Sequence, residues 1–330
     1  MLVVGIHTHP LSTVSEYINF LSVNVFARIA VPYFFMVTGY FLLPQYIGNG
    51  RRDTGPLVNN IKKAGLLYAA ASMLYIPIGI YAGCYSQGAT VATIARKIVF
   101  DGTFYHLWYL PASIIGVLLL YLLGRKFSLR SVLCITAALY FAGLLGDSYY
   151  GLAQGIPFIG PALDAGFMVF SYTRNGIFYA PVFLAMGAWI AKTERRPDMK
   201  VSVAGFAASM SIMLAEGSIL RISGFQRHDS MYIALLPCMF FLFQFLLSRK
   251  GKKINLLRDV SMWVYILHPL FIIAIRGVAK VTGRTSLLVE NSVVHYLAVC
   301  LLSFSFAILI ARLKQRRKCS AEIVPVTYTP

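Results

Sequence analysis

Charge is what this sequence has least of. Only 13% of its 330 residues are Asp, Glu, Lys or Arg, against roughly 25% in soluble domains. Acids are scarcest, 12 against 30 bases, for a net charge of +18. That shortage excludes an ordinary soluble domain. Cysteine is sparse too: five residues and no CxxC pair, which excludes a disulfide or thiolate-metal framework, so no metal is expected. Four of the five fall in or beside apolar segments and read as small apolar residues. The apolar runs do not alternate, which excludes a transmembrane β-barrel. No basic stretch and cleavage site open the chain, so no signal peptide is expected.

What the sequence does have is apolar length. Hydrophobic residues make up 58% and aromatics 14%, with a mean hydropathy of +0.69. The apolar residues come in windows of about 20, enough to cross a hydrocarbon core ~30 Å thick. The fold class is therefore all-α, a polytopic transmembrane bundle of about ten helices. Spans are expected at 20–47, 61–83, 107–124, 129–146, 175–191, 201–219, 231–248, 258–278 and 293–312. Residues 1–7 are apolar but make a helix of only about 10 Å, so the first span is expected to lack its N-terminal half. Residues 93–100 read as an interfacial helix, and 147–174, rich in Gly, Pro and Tyr, as a long loop. Domain organisation is simple: a membrane domain over 1–312 and a short basic tail over 313–330, expected to be disordered.

Basic residues sort the loops. Arg51, Arg52, Lys62 and Lys63, the cluster at 125–130, those at 192–200 and 249–258, and the basic tail lie in alternate loops, and the intervening loops carry far fewer. Such asymmetry marks the cytoplasmic side and puts the C-terminus there. The same placement accounts for the net charge without nucleic acid; the bilayer is the expected partner.

The polar exceptions fall at one depth. In FARIAVPYFFMVTGYFLLP, residues 26–44, Arg28 opens an apolar run interrupted by Pro32 and Gly39. A charge there is costly in a bilayer and usually has a partner. With the orientation above, His7 ends the first span on the outer side and Arg28 begins the second. His106, Trp108 and Tyr109 open the fourth, Tyr172 and Arg174 stand before the sixth, Glu216 is near the outer end of the seventh, and His268 is in the outer half of the ninth. Residues delivered to one level by several helices predict one polar site. Structural alternatives stay open. Arg28 can snorkel to water, Trp108 and Tyr109 can belong to an aromatic belt, His268 can satisfy carbonyls freed by Pro269, and Glu216 can pair with Arg221. His9, His228 and His295 read as ordinary surface residues.

Four pieces carry a family likeness: His7 at the end of the first span, ARIAVPYFFMVTGYFL at 27–42, HLWYLPA at 106–112 and WVYILHPL at 263–270. Together they resemble the acyltransferase-3 family of integral membrane proteins, over nearly the whole chain. GIHTHPL and VPYFFMVTGYFLLP are also similar to the membrane domain of the membrane-bound (VanT-type) serine racemases of vancomycin-resistance clusters. There the domain precedes a pyridoxal-phosphate racemase domain and is associated with serine uptake. This chain ends RRKCSAEIVPVTYTP, so no racemase domain is expected within it.

The resemblance implies transfer of an acyl group, usually acetyl from acetyl-CoA, to a hydroxyl of a cell-envelope glycan or similar acceptor, in a bacterial cytoplasmic membrane. It implies His7 as base or acyl relay and Arg28 as electrostatic stabiliser. Pocket roles fall to His106, Trp108, Tyr109, Arg174, Glu216 and His268. Arg51, Arg52, Lys62 and Lys63 would attract CoA phosphates, or serve only to set topology. Family members carry an arginine in the first span, separated by ten residues from the histidine matched by His7. Only six residues precede it here, which is read as a truncated start. Two other readings stand beside the enzyme: a permease for serine or a similar amino acid, and a non-catalytic membrane partner of a separate racemase.

Overall fold

The computed structural model describes residues 1–47, 53–83, 90–194, 196–249 and 255–322; Arg51 and Arg52 lie outside them. Fourteen α-helices and short 3-10 and π segments occupy these residues, with no strand among them. In order they are α1 (Leu2–Thr8), α2 (Glu16–Asn19), α3 (Ala30–Leu42), α4 (Gly55–Tyr81), α5 (Val91–Arg96), α6 (Tyr109–Gly124), α7 (Leu129–Leu145), α8 (Tyr150–Gln154), α9 (Ile159–Val169), α10 (Ala180–Lys192), α11 (Met199–Ile222), α12 (Leu235–Ser248), α13 (Asn255–Val281) and α14 (Ser292–Glu322). Five stretches are long and apolar enough to cross a membrane: Glu16–Leu42, Gly55–Tyr81, Met199–Ile222, Leu256–Val281 and Ser292–Arg316. Helices α6, α7, α10 and α12 are apolar but shorter.

Every expected span contains a helix, and the differences have local causes. Residues 147–174 are not one loop; they hold α8 and α9. Helix α10 starts later than the apolar run because Asn175 intercepts its first donors. The Asn175 Oδ1 accepts from the amides of Ile177 (2.9 Å) and Phe178 (3.1 Å), and a side chain that captures nearby amides makes a turn where a helix would begin. Helix α14 continues to Glu322, past the expected domain end, with Lys314 Nζ 3.5 Å from Asp259. Upstream of α3, residues Phe26–Ile29 tighten into a 3-10 turn. Pro32 supplies the reason: it has no N–H for the carbonyl of Arg28, and its ring crowds that carbonyl in an α-helix.

The chain divides into two compact units, Asn24–Arg249 and a second made of Met1–Val23 with Lys250–Pro330. Within Asn24–Arg249 the centre is α10. Nearly every residue from Ala180 to Ile190 is buried, as expected of a helix that is apolar all round. Helix α3 runs parallel to it: Phe35 meets Tyr179 near the starts, and Lys192 Nζ donates to the Ile47 carbonyl at 2.8 Å near the ends. Glycine sets their separation. A Cβ on Gly39 would run into the Leu184 backbone carbonyl, and one on Gly187 into that of Met36. On the other side, Gly116 of α6 faces Leu184 and Ala180. Small residues that let helix backbones touch are the usual device for packing in lipid.

In the other unit, α1, α13 and α14 pack around Val4, Val264, Ile272, Val299 and Ala307. The turn after α1 is closed by His9 in a left-handed conformation, φ 50°. Ser292 Oγ then donates to the Pro10 carbonyl at 2.9 Å.

Gly39→Ala and Gly187→Ala should each destabilise the protein by about 1–3 kcal/mol, the usual range for overpacking, lowering the melting temperature in detergent. Gly65→Ala in α4, where a Cβ meets nothing within 4 Å, should leave stability unchanged or raise it by up to ~1 kcal/mol. Equal melting temperatures for all three variants would remove the close-contact argument.

Candidate functional site

The polar residues of the Asn24–Arg249 unit gather where α3 and α10 begin. Arg28 sits on the 3-10 turn before α3, half-buried, with Nε donating to the Asn24 carbonyl at 3.3 Å. The same carbonyl accepts from the Tyr232 hydroxyl at 3.0 Å, and Asn24 Nδ2 donates to Asp229 Oδ2 at 2.8 Å. Arg174 lies in the segment before α10. Its guanidinium carbon is 4.6 Å from the Tyr172 ring centroid and 5.2 Å from that of Trp108. Nε of Arg174 is enclosed and has no hydrogen-bond partner among the described residues.

Asp147, after α7, is fully buried. Its Oδ1 accepts from the Ser230 amide (2.7 Å), the Met231 amide (3.0 Å) and the Ser148 hydroxyl (3.0 Å). Oδ2 is buried without a partner among the described residues. Burial pushes the Asp147 carboxyl up to about 6, against the opposing pull of the Ser230 amide and of the Arg174 and Arg28 charges. His228 completes the group, its ring 4.5 Å from that of Tyr172. Burial first, then the charges of Arg174, Arg227 and Arg28, pull its imidazole down to about 4, so it is neutral near pH 7. For Arg174 itself, burial and then Arg28 weaken its hold on the proton, while Asp147 acts the other way. These shared influences tie Arg28, Arg174, Asp147 and His228 into one electrostatic cluster.

The expected residues divide accordingly. Trp108, Arg174 and Arg28 join this cluster. Tyr109 packs beside it on Phe35, ring centroids 4.8 Å apart. His106 does not reach Arg174: it is buried beside Tyr75, Phe104 and Tyr105. Glu216 has a structural task. Its Oε1 accepts from the Tyr149 hydroxyl (2.7 Å) and the Ile233 amide (2.6 Å), and its Oε2 from the Ala234 amide (2.9 Å). It thus caps the start of α12 from another helix, a stabilising place for a carboxylate. Lys62 and Lys63 are exposed near the start of α4.

His7 and His268 belong to the other unit. Their rings stack, centroids 5.3 Å apart at 24°, and His268 Nδ1 lies 3.0 Å from the Val264 carbonyl one turn back. Two surface readings need correction. His295 is buried, its Nδ1 2.9 Å from the Leu288 carbonyl, and His228 is half-buried in the cluster just described. Asp147 and His228 were missed. A signal existed for Asp147: with only 12 acids in the chain, one directly after an apolar span is itself unusual.

A family model described as "Acyltransferase domain", of the acyltransferase-3 type, matches residues 1–312. Two Enterococcus faecalis proteins named amino-acid racemase are 39% identical over 315 residues and 34% identical over 327. These alignments cover 95% and 98% of this chain but 44% and 46% of the relatives. A serine/alanine racemase of Enterococcus gallinarum is 34% identical over 319 residues, 95% of this chain and 45% of that protein. The chain thus spans less than half the length of these relatives. No solved structure gives a significant match.

The pH dependence of stability should report on His228. Its folded pKa, about 4, lies below the ordinary 6.5. Between those values the unfolded chain takes a proton that the folded protein refuses, so stability is lost as pH falls through that window. Asp147, raised from 3.8 to about 6, acts oppositely: its folded form binds the proton first, and stability is gained as pH falls through about 6. In His228→Asn the first slope disappears. Its melting temperature relative to the parent should therefore rise steadily as pH drops from about 6.5 toward 4.5. A difference that stays constant across that range would contradict a neutral, enclosed His228.

Proposed function

The chain belongs to the acyltransferase-3 family and is a multi-pass membrane protein, and from that membership we propose that it is an integral membrane O-acyltransferase. The donor is acyl-CoA, with acetyl-CoA the first choice, and the acceptor is a hydroxyl on an envelope glycan or similar molecule. The family match across residues 1–312 carries this reading. The protein sits in the bacterial cytoplasmic membrane with its C-terminus inside, a placement supported by the alternation of its basic loops.

His7 is assigned the proton transfer. A neutral imidazole can accept the hydroxyl proton as the oxygen attacks the thioester carbonyl. The tetrahedral intermediate then expels the CoA thiolate, and the proton passes to the sulfur. Stacking on buried His268 supports the assignment by limiting the orientation of the His7 ring. Arg28 is assigned charge stabilisation, supported by its half-buried position and by the action of its charge on Arg174 and Asp147; a fixed cation favours a developing oxyanion. Trp108, Tyr109 and Arg174 are assigned to substrate binding. Lys62 and Lys63, with Arg51 and Arg52, are assigned to attracting CoA phosphates at the cytoplasmic face.

A second reading is favoured by one observation, the racemase names of the relatives. In it the domain moves serine or a similar amino acid across the membrane, or serves as the membrane partner of a separate racemase.

His7→Ala should insert into membranes normally and lose acyl transfer by ~10²-fold or more, the contribution of a general base. Release of free CoA thiol from acetyl-CoA in the presence of acceptor is the measurement. If proteoliposomes instead accumulate labelled serine without acetyl-CoA, and CoA does not bind, the permease reading replaces the enzyme.

A further inference from the structure

Arg174 is built like a binding group. Trp108 and Tyr172 engage the guanidinium through their rings, 5.2 and 4.6 Å from its carbon. Its N–H donors form a fork that matches an oxyanion in two places at once. No hydrogen bond or ion pair among the described residues uses those donors, and Nε is enclosed. An enclosed charged donor left empty is costly and rare in native proteins. The side chain nevertheless keeps accessible surface, since Arg174 as a whole is only half-buried.

Asp147 is the second, independent observation. Three donors fill Oδ1, while Oδ2 has no partner among the described residues, in a residue with 0% exposure. The charges of Arg28 and Arg174 act on Asp147, and Arg28, Arg174 and the exposed Arg227 stand against Asp147 and Asp229 around the site, which leaves a single positive charge. Neutral His228 adds none. A monoanion balances that surplus; a phosphate dianion, the form that dominates above the second phosphate pKa, would overshoot it.

We propose that Arg174 anchors a binding site for a small carboxylate, with Arg28 as its second cation and Asp147 tuning the site to a single negative charge. The carboxylate takes the in-plane donors of Arg174 while Trp108 and Tyr172 hold the guanidinium in orientation. This deepens the substrate-pocket assignment of Arg174 and Trp108 and rests on it, but it requires no acyl transfer. The test therefore contains no acyl donor, so an inactive enzyme and a missing anion site give different results.

The full chain, purified in detergent at about pH 8 so that inorganic phosphate is chiefly a dianion, is titrated with acetate, propionate, inorganic phosphate and chloride at constant ionic strength, and followed by melting temperature and calorimetry. Acetate and propionate should stabilise it where chloride does not, and phosphate should bind more weakly than either. Arg174→Gln should abolish the carboxylate response. Arg174→Lys, which keeps the charge but loses the fork, should bind at least tenfold more weakly, and it carries the test if the glutamine variant fails to fold. Asp147→Asn, which keeps an acceptor for the Ser230 and Met231 amides, should shift preference toward phosphate. An undiminished carboxylate response in both Arg174 variants, a parent that prefers phosphate, or a parent indifferent to carboxylates would each overturn the proposal.

Discussion

The approach of α3 to α10 is the contact on which the rest of the Asn24–Arg249 unit depends. Helix α10 is covered on all sides, and it can be approached so closely only because Gly39 and Gly187 bring no Cβ to the seam. The two helices run parallel, so the segments that precede them end up together. One of those segments carries Arg28 and the other Tyr172, Arg174 and Tyr179. Packing within the apolar bundle thus decides where the charges meet. A wider seam would move Arg28 and Arg174 apart without altering either residue.

Carboxylates then finish what the glycines begin. Asp147 and Glu216 both spend their oxygens on main-chain amides just before α12, at Ser230, Met231, Ile233 and Ala234. An apolar environment leaves such amides few alternatives to a protein acceptor. In a chain with 12 acids, two are committed to one connection. The difference lies in what remains. Glu216 has both oxygens engaged, and its role is structural; Asp147 has one engaged and one open.

Much of the fold was legible in the sequence because long apolar windows and clustered basic loops are strong, redundant signals. Their ends were less legible, for a specific reason. Apolar composition continues through residues 175–179 and 231–234, but Asn175, Asp147 and Glu216 capture the amides there, and the helices start late. Helices α8 and α9 were hidden by the glycine and proline within and between them. At the site, Arg28, Trp108 and Arg174 could be expected to share a level, and they do share a cluster. Reading depth from position could not separate His106, buried in an aromatic pocket, from Trp108 two residues on. Nor could it reveal His228, which the fold brings in through a polar loop.

The arginine inside the apolar run has a backbone partner close in sequence. A snorkelling side chain extends its charge toward water along the helix surface. Arg28 turns its Nε back to the carbonyl of Asn24, four residues earlier, and lies half-buried, its charge acting on Arg174 and Asp147. The unwound turn makes this arrangement stable. Pro32 cannot donate to the Arg28 carbonyl, and the 3-10 turn sits where Asn24, through its carbonyl and side chain, is tied to Arg28, Tyr232 and Asp229. Proline and arginine are therefore parts of one device. The proline breaks the helix ladder, and the break lets the chain hold a cation where an unbroken apolar helix would exclude it.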